Sequence, residues 1–237
     1  MIKQAVILAG GEGTRLRPLT YEMPKPLVPV QGVPILTWLV RWLKRYDVEK
    51  ALVIIPPKWQ TAFERWKQDA EQVLPIELWV EPEPMGTMGA MAHHLKDYFN
   101  GESVFVTNGD ELKGFDLRAL AKTHEEGGYG ATLGLVRVAS PKDYGIPDLD
   151  GTRATRYREK PEDPSTDLAH AGLYALNTSC LQKMNREEKF LMFEKDLFPD
   201  FASQGLLGGC PLEGPWFDCG TMERWEKAIK EWREPNA

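Results

Sequence analysis

The apolar positions of the first half fall in short blocks separated by turn residues. Ile2 to Ala9 is an apolar run closed by Gly10 and Gly11, which reads as a buried strand of a parallel sheet feeding a loop. That loop runs to about Gly32, and its prolines at 18, 24, 26 and 29 are expected to hold it open and extended. Ile35, Leu36, Leu39, Val40 and Leu43 recur at helical spacing and predict a helix over 34–46. Ala51 to Ile55 is the next strand, stopped by Pro56 and Pro57. A helix over 58–72, a strand over Ile76 to Val80, a helix over Met88 to Phe99 and a strand over Val104 to Thr107 follow. Strands alternating with helices predict an α/β fold with a doubly wound, mostly parallel sheet. Ligands of such sheets bind at the carboxyl ends of the strands. The Gly10 loop, the segment from Glu81 and the turn Asn108-Gly109-Asp110 all fall at such ends.

The second half is less regular. Ala131 to Val138, Arg153 to Tyr157 and Ala171 to Leu176 read as strands. Residues 221–233 read as a closing helix with Met222, Trp225, Ala228, Ile229 and Trp232 on one face. No internal repeat follows, and in particular no hexapeptide β-helix pattern.

Composition narrows the classes. The 237 residues are 42% hydrophobic and 27% charged, with a formal net charge of -6. An acidic balance argues against a general nucleic-acid or anionic-membrane binder, leaving small-molecule substrates as partners and a homo-oligomer open. The three cysteines, Cys180, Cys210 and Cys219, have no metal-like spacing and fit reduced thiols in a cytoplasmic protein. No apolar run approaches the roughly 20 residues that span a bilayer, and the start of the chain has no basic leader region.

The candidate chemistry begins in the first loop. Gly10, Gly11 and Gly13 allow backbone N–H groups close to a ligand, and Arg15 and Lys25 add two cations. Together they suit a triphosphate. No Gly-Lys-Ser/Thr follows, so this is not a P-loop, and the third glycine of the dinucleotide fingerprint is missing.

The run Leu8-Ala-Gly-Gly-Glu-Gly-Thr-Arg-Leu-Arg-Pro-Leu-Thr20 with Pro24-Lys25-Pro26 resembles the signature of the sugar-1-phosphate nucleotidyltransferases. Further blocks resemble that family in order: Glu81-Pro-Glu-Pro-Met-Gly-Thr87, Asn108-Gly-Asp110, Tyr144-Gly145, Glu159-Lys-Pro161, Ala171-Gly-Leu-Tyr174, Phe193-Glu-Lys-Asp-Leu-Phe-Pro199 and Trp216-Phe-Asp-Cys-Gly-Thr221. The resemblance implies a Rossmann-like nucleotidyltransferase fold with a smaller, β-rich sugar-binding insertion. It implies one domain over 1–237, with 1–110 mainly binding nucleotide and 111–237 mainly binding sugar and supplying the closing helix. By the same resemblance Leu8, Ala9, Gly10, Gly11, Gly13, Thr14 and Arg15 hold the nucleoside triphosphate, Arg15 on the departing pyrophosphate. Lys25 contacts phosphate at the reacting centre, and Glu81, Gly86 and Thr87 lie against base and ribose. Asp110 and Asp218 hold magnesium. Gly109, Tyr144, Gly145, Glu159, Lys160 and Gly172 receive the sugar phosphate, together with His170, which stands where many relatives have asparagine.

The chemistry of the reaction suits these residue types. An attacking phosphate oxygen is already anionic, so no side-chain nucleophile is required. The difficulty is repulsion between two polyanions, which alignment and charge neutralisation relieve. Magnesium held by one or two carboxylates serves that end. Taken alone, Asp110 is equally a turn residue, Asp218 part of a helix-cap region, and Lys160 a surface ion-pair partner of Glu159. The expected reaction joins a nucleoside monophosphate to a sugar 1-phosphate. Met85-Gly-Thr-Met-Gly-Ala90 resembles the pattern of guanylyl- and some uridylyltransferases more than that of thymidylyltransferases, and the resemblance favours GTP with a mannose- or heptose-type sugar. UTP- or dTTP-dependent transfer to a glucose or aminosugar phosphate, and a non-catalytic NDP-sugar binder, are the alternatives.

Overall fold

The computed structural model describes residues 2–182 and 188–234. In chain order the elements begin β1 (Gln4–Leu8), α1 (Leu19–Glu22), β2 (Pro29–Val30), β3 (Val33–Pro34), α2 (Ile35–Arg45), β4 (Lys50–Ile55), α3 (Gln60–Ala70) and β5 (Ile76–Val80). Then come α4 (Gly89–His93), β6 (Ser103–Asn108), β7 (Glu111–Lys113), α5 (Leu117–Gly127), β8 (Ala131–Arg137), β9 (Gly145–Asp150), β10 (Arg153–Glu159) and β11 (Leu168–Asn177). The last are α6 (Ser179–Gln182), α7 (Phe198–Ser203), β12 (Leu207–Pro211), β13 (Trp216–Asp218) and α8 (Met222–Glu231). The chain weaves through two units, one built on residues 3–84, 107–115 and 214 onward, the other on 85–106 and 116–213.

In the first unit β1, β4 and β5 pair in parallel, with Gln4 opposite Lys50, Leu8 opposite Ile54, and Ala51 opposite Ile76. Val6, Ile7, Val53 and Ile55 are fully buried, the near-continuous apolar pattern of strands covered on both faces. Helix α2 buries Ile35, Leu36, Leu39, Val40, Trp42 and Leu43, and the Trp42 indole donates to the Phe115 carbonyl at 2.9 Å. Helix α3 buries Phe63, Trp66 and Ala70. Helix α8 is tied to the N-terminal segment by Trp225 Nε1 donating to the Pro29 carbonyl and Gln31 Nε2 to the Trp232 carbonyl. Its buried residues are Ala228 and, just beyond it, Trp232, whereas Met222 is exposed. Met222 opens the first turn, where Thr221 caps the helix, and so drops off the expected buried face.

The proline-rich loop also departs from expectation. Instead of running extended, it winds into short helical turns at Thr14–Leu16, α1 and Lys25–Leu27. Proline is tolerated in a first helical turn because its missing N–H would be unpaired there anyway. Leu16, Val28 and Val30 then anchor the loop in the core.

In the second unit the strands lie in the order β11-β8-β12-β10-β9, with β8 and β12 parallel and the other neighbours antiparallel. Helix α5 starts at Asp116, whose carboxylate accepts from Arg118 N at 2.9 Å, and stops at Gly128 in the left-handed region. The helix expected over Met88 to Phe99 is realised only as Gly89–His93. The amides of His94 and Leu95 both turn back to the Ala90 carbonyl, and the chain goes on in turns that still bury Leu95 and Phe99. Among the described residues no helix is long and apolar enough to cross a membrane.

Candidate active site

The first unit gathers the loop, Glu81 and Asp110 at strand ends. Beyond β1, Ala9 N donates to the Ile54 carbonyl at 2.9 Å, Glu81 N to Ile55 at 2.8 Å and Gly109 N to Leu8 at 2.9 Å. A Cβ on Gly10 would stand 3.2 Å from a Glu81 carboxylate oxygen, and one on Gly11 would meet nothing within 4 Å. Gly13 has φ +64°, and a Cβ there would come within 2.9 Å of Thr20 Cγ2 and 3.1 Å of Lys25 Cβ. The Thr20 hydroxyl donates to the Gly13 carbonyl at 2.8 Å. The glycine loop is thus folded directly onto the segment that carries Lys25. Thr14 and Arg15 follow Gly13 on an exposed helical turn.

The carboxylates come next. Lys25 is buried and donates to Asp110. Burial alone would lower its pKa, but the charge and hydrogen bond of Asp110, followed by the charges of Asp218 and Glu111, outweigh that and raise it. Asp110 lies in the turn between β6 and β7, and Asp218 ends β13, which pairs antiparallel with β7. Arg224, in the first turn of α8, donates to Asp218 at 2.5 Å. A Cβ on Gly220 would sit 2.6 Å from Asp218 Oδ1 and 3.2 Å from an Arg15 guanidinium nitrogen, so glycine leaves room for both side chains. Cys219 is fully buried, and burial foremost, then the Asp110 charge, pushes its thiol up to about 12. It packs as a neutral thiol.

Sequence reasoning missed Glu111 and Lys113. Glu111 is buried and stands opposite Asp218 in the β7/β13 register. Its Oε1 accepts from Asn108 Nδ2 at 2.9 Å, and its Oε2 from Lys113 Nζ at 2.9 Å and Trp216 Nε1 at 2.7 Å. The signal was two opposite charges at i,i+2 in a segment as short as a strand, which places them on one face.

Asp110 and Asp218 fit a hard divalent cation. Both offer carboxylate oxygens and both act on the same lysine. Their side chains keep 29% and 16% of their exposure. Among the described residues no group of three or more His, Cys, Asp or Glu donors could hold a metal. An ion on the two aspartates would therefore draw its other ligands from phosphate and water, as magnesium does.

The second unit holds the other predicted residues. Gly145 pairs with Glu159 between β9 and β10. The Tyr157 hydroxyl donates to Glu159 at 3.1 Å, and a Cβ on Gly145 would overlap that hydroxyl at 1.8 Å. Lys160 adopts φ +47° with its amide on the Tyr144 carbonyl at 3.1 Å. Its ammonium is exposed, 3.6 Å from Glu159. Tyr144, Gly145, Glu159 and Lys160 therefore stand together. Gly172, at φ +54°, lies in the irregularity of β11 between His170 and Tyr174. His170 itself is buried against the rings of Tyr174, Phe198 and Tyr157, with centroids 5.6, 5.5 and 6.4 Å away.

Gly86, at φ +75°, has no room for a Cβ, which would fall 2.3 Å from the Leu191 carbonyl oxygen. The Thr87 hydroxyl donates to Glu194 at 2.7 Å and accepts from Phe193 N at 3.0 Å. Burial raises the Glu194 pKa. Gly86 and Thr87 thus belong to the second unit and Glu81 to the first.

A family model described as nucleotidyl transferase matches residues 4–234. A mannose-1-phosphate guanylyltransferase of Mycobacterium tuberculosis is 35% identical over 227 residues, covering 92% of this chain and 61% of that protein. The mannose-1-phosphate guanylyltransferase catalytic subunit beta of Danio rerio is 34% identical with the same coverage. The chain therefore spans about 61% of the length of these relatives. The crystal structure of HddC from Yersinia pseudotuberculosis complexed with GMP-PN superposes with a TM-score of 0.81 at 26% identity, covering 97% of this chain and 99% of that one.

Proposed function

This chain belongs to the nucleotidyl transferase family, and from that premise we propose that it transfers a guanylyl group from GTP to a mannose- or heptose-type sugar 1-phosphate. The products are a GDP-sugar and pyrophosphate. A phosphate oxygen of the sugar 1-phosphate attacks the α-phosphorus of GTP. The bond from that phosphorus to the bridging oxygen breaks, and its electron pair leaves on pyrophosphate.

The observation that carries this reading is the grouping of Lys25, Asp110 and Asp218 beside the open Gly10–Gly13 loop. The loop amides and the exposed Arg15 bind the β- and γ-phosphates and take up charge on the leaving group. Lys25, held as an ammonium, neutralises charge at the α-phosphate. Asp110 and Asp218 would hold magnesium, which when bound would supply positive charge to the phosphate oxygens. In the second unit, Lys160 would pair with the sugar phosphate and Glu159 would accept from sugar hydroxyls. The names of the relatives, and the GMP-PN named with the HddC structure, support GTP as donor.

The test is a substrate panel with magnesium: GTP, UTP, dTTP and ATP, each with mannose, glucose and heptose 1-phosphates, followed by pyrophosphate release. Highest turnover with GTP and a mannose-type acceptor supports the reading. Preference for UTP or dTTP with a glucose phosphate overturns it.

A further inference from the structure

The ribbon of β7 and β13 is only three residues on each strand. Two such short strands are marginal by themselves, yet this ribbon carries Asp218 and follows directly on Asp110. Directly opposed residues of an antiparallel pair point to the same face. Leu112 and Phe217 are opposed on one face; Leu112 is fully buried and Phe217 packs edge-on to Trp232, centroids 6.0 Å apart. That face anchors the ribbon in the core.

The other face carries Glu111 opposite Asp218 and Lys113 opposite Trp216. Packing alone would favour apolar residues at such buried positions, because burying an ion pair costs desolvation that the pair only partly recovers. Instead Lys113 is 2% exposed and spends its ammonium on Glu111. Asn108 and Trp216 supply two more donors to the same carboxylate. Both oxygens of Glu111 are thereby occupied within the protein, in contrast to the partly exposed carboxylates of Asp110 and Asp218.

We propose that Glu111, clamped by Asn108, Lys113 and Trp216, is a positioning residue that fixes Asp110 and Asp218 as a divalent-cation pair. Glu111 reaches Asp110 through the backbone, as its immediate neighbour, and Asp218 across the ladder. Lys113 cancels the added negative charge that would otherwise repel both aspartates. The inference rests on the assignment of Asp110 and Asp218 as metal carboxylates.

The experiment measures Mn²⁺ binding by the electron paramagnetic resonance of free Mn²⁺, together with thermal unfolding, for wild type, D110N, D218N, the double variant E111L/K113M and W216F. The double variant exchanges the ion pair for apolar residues of similar volume, and W216F removes one donor while keeping the ring. The expected result is Mn²⁺ binding weakened by about tenfold or more in E111L/K113M, the range seen when groups supporting metal ligands are removed, in a variant that still unfolds in one cooperative transition. W216F should bind Mn²⁺ more weakly by a few-fold and carries the test if the double variant does not fold. Wild-type Mn²⁺ affinity in whichever of these two variants folds, with D110N and D218N impaired, overturns the positioning role alone. Wild-type affinity in D110N and D218N overturns the metal assignment and the inference with it.

Discussion

Lys25 and Asp110 lie 85 positions apart and form a partly buried ion pair in the first unit. Each comes from a turn that the sequence punctuates strongly: Pro24-Lys25-Pro26 and Asn108-Gly109-Asp110. Gly13 packs against the Lys25 stem, so the glycine loop, Lys25 and a candidate metal carboxylate are joined through one residue.

The charge of Lys25 should be constant across the working pH range. Its folded pKa is raised above 10.5, so the ammonium and its stabilising effect are fully present below that value and are lost only above the folded pKa. The variant K25M should lower kcat by about 10²- to 10³-fold, in line with removal of a preorganised electrostatic group. The ratio of wild-type to variant rates should stay flat from about pH 7 to about pH 9.5. Steady-state rates across that range check this, and a ratio that collapses inside it would contradict the role.

Gly13 and Gly11 should respond differently to alanine. At Gly13 the left-handed backbone and the 2.9 Å approach to Thr20 leave a new methyl both strained and crowded. G13A should lower the unfolding free energy by about 1–2 kcal/mol and raise the KM for GTP. At Gly11 a methyl meets nothing within 4 Å, and G11A should unfold with wild-type stability. Denaturant titration and nucleotide KM values for the two variants test the contrast.

Acid sensitivity should trace in part to His124. This buried ring lies 2.9 Å from the Thr132 hydroxyl and 3.2 Å from the Ser103 hydroxyl, joining α5 to β8 and β6 within the second unit. Burial lowers its pKa, partly offset by Glu125. The unfolded chain therefore takes up the proton first. The stabilisation is present above the ordinary value of 6.5 and is lost as the pH falls through the lowered one. Unfolding free energies measured from pH 7.5 to pH 5 should decline for wild type and decline less steeply for H124Q. Equal slopes would show that His124 does not contribute to the acid sensitivity.

The parts legible in the sequence were those set by local pattern. The strand before Gly10, helix α2, the β4 and β5 strands and the position of Asp110 after a strand all follow from periodicity and turn chemistry within a dozen residues. The parts that were not legible depend on partners far away in sequence. Glu111 and Lys113 carry only the faint local signal of opposite charges at i,i+2, and it is the ladder that sets Asp218 and Trp216 opposite them. The surroundings of His170 are set in the same way: Tyr157, Tyr174 and Phe198 pack on its ring from three elements. The winding of the proline-rich loop was also hidden. Proline constrains a residue to φ values shared by extended chain and helical turns, and burial of Leu16 and Val28 decides between them.

The proposed guanylyl transfer onto a sugar phosphate depends on Asp110 and Asp218 together. The most direct measurement is the joint release of pyrophosphate and GDP-sugar by folded wild type, D110N and D218N, given GTP, mannose 1-phosphate and magnesium. Wild type should give equal amounts of the two products and each variant a loss of about 100-fold or more, with circular dichroism unchanged. Absence of turnover by folded wild type, or a near wild-type rate in either variant, would contradict it.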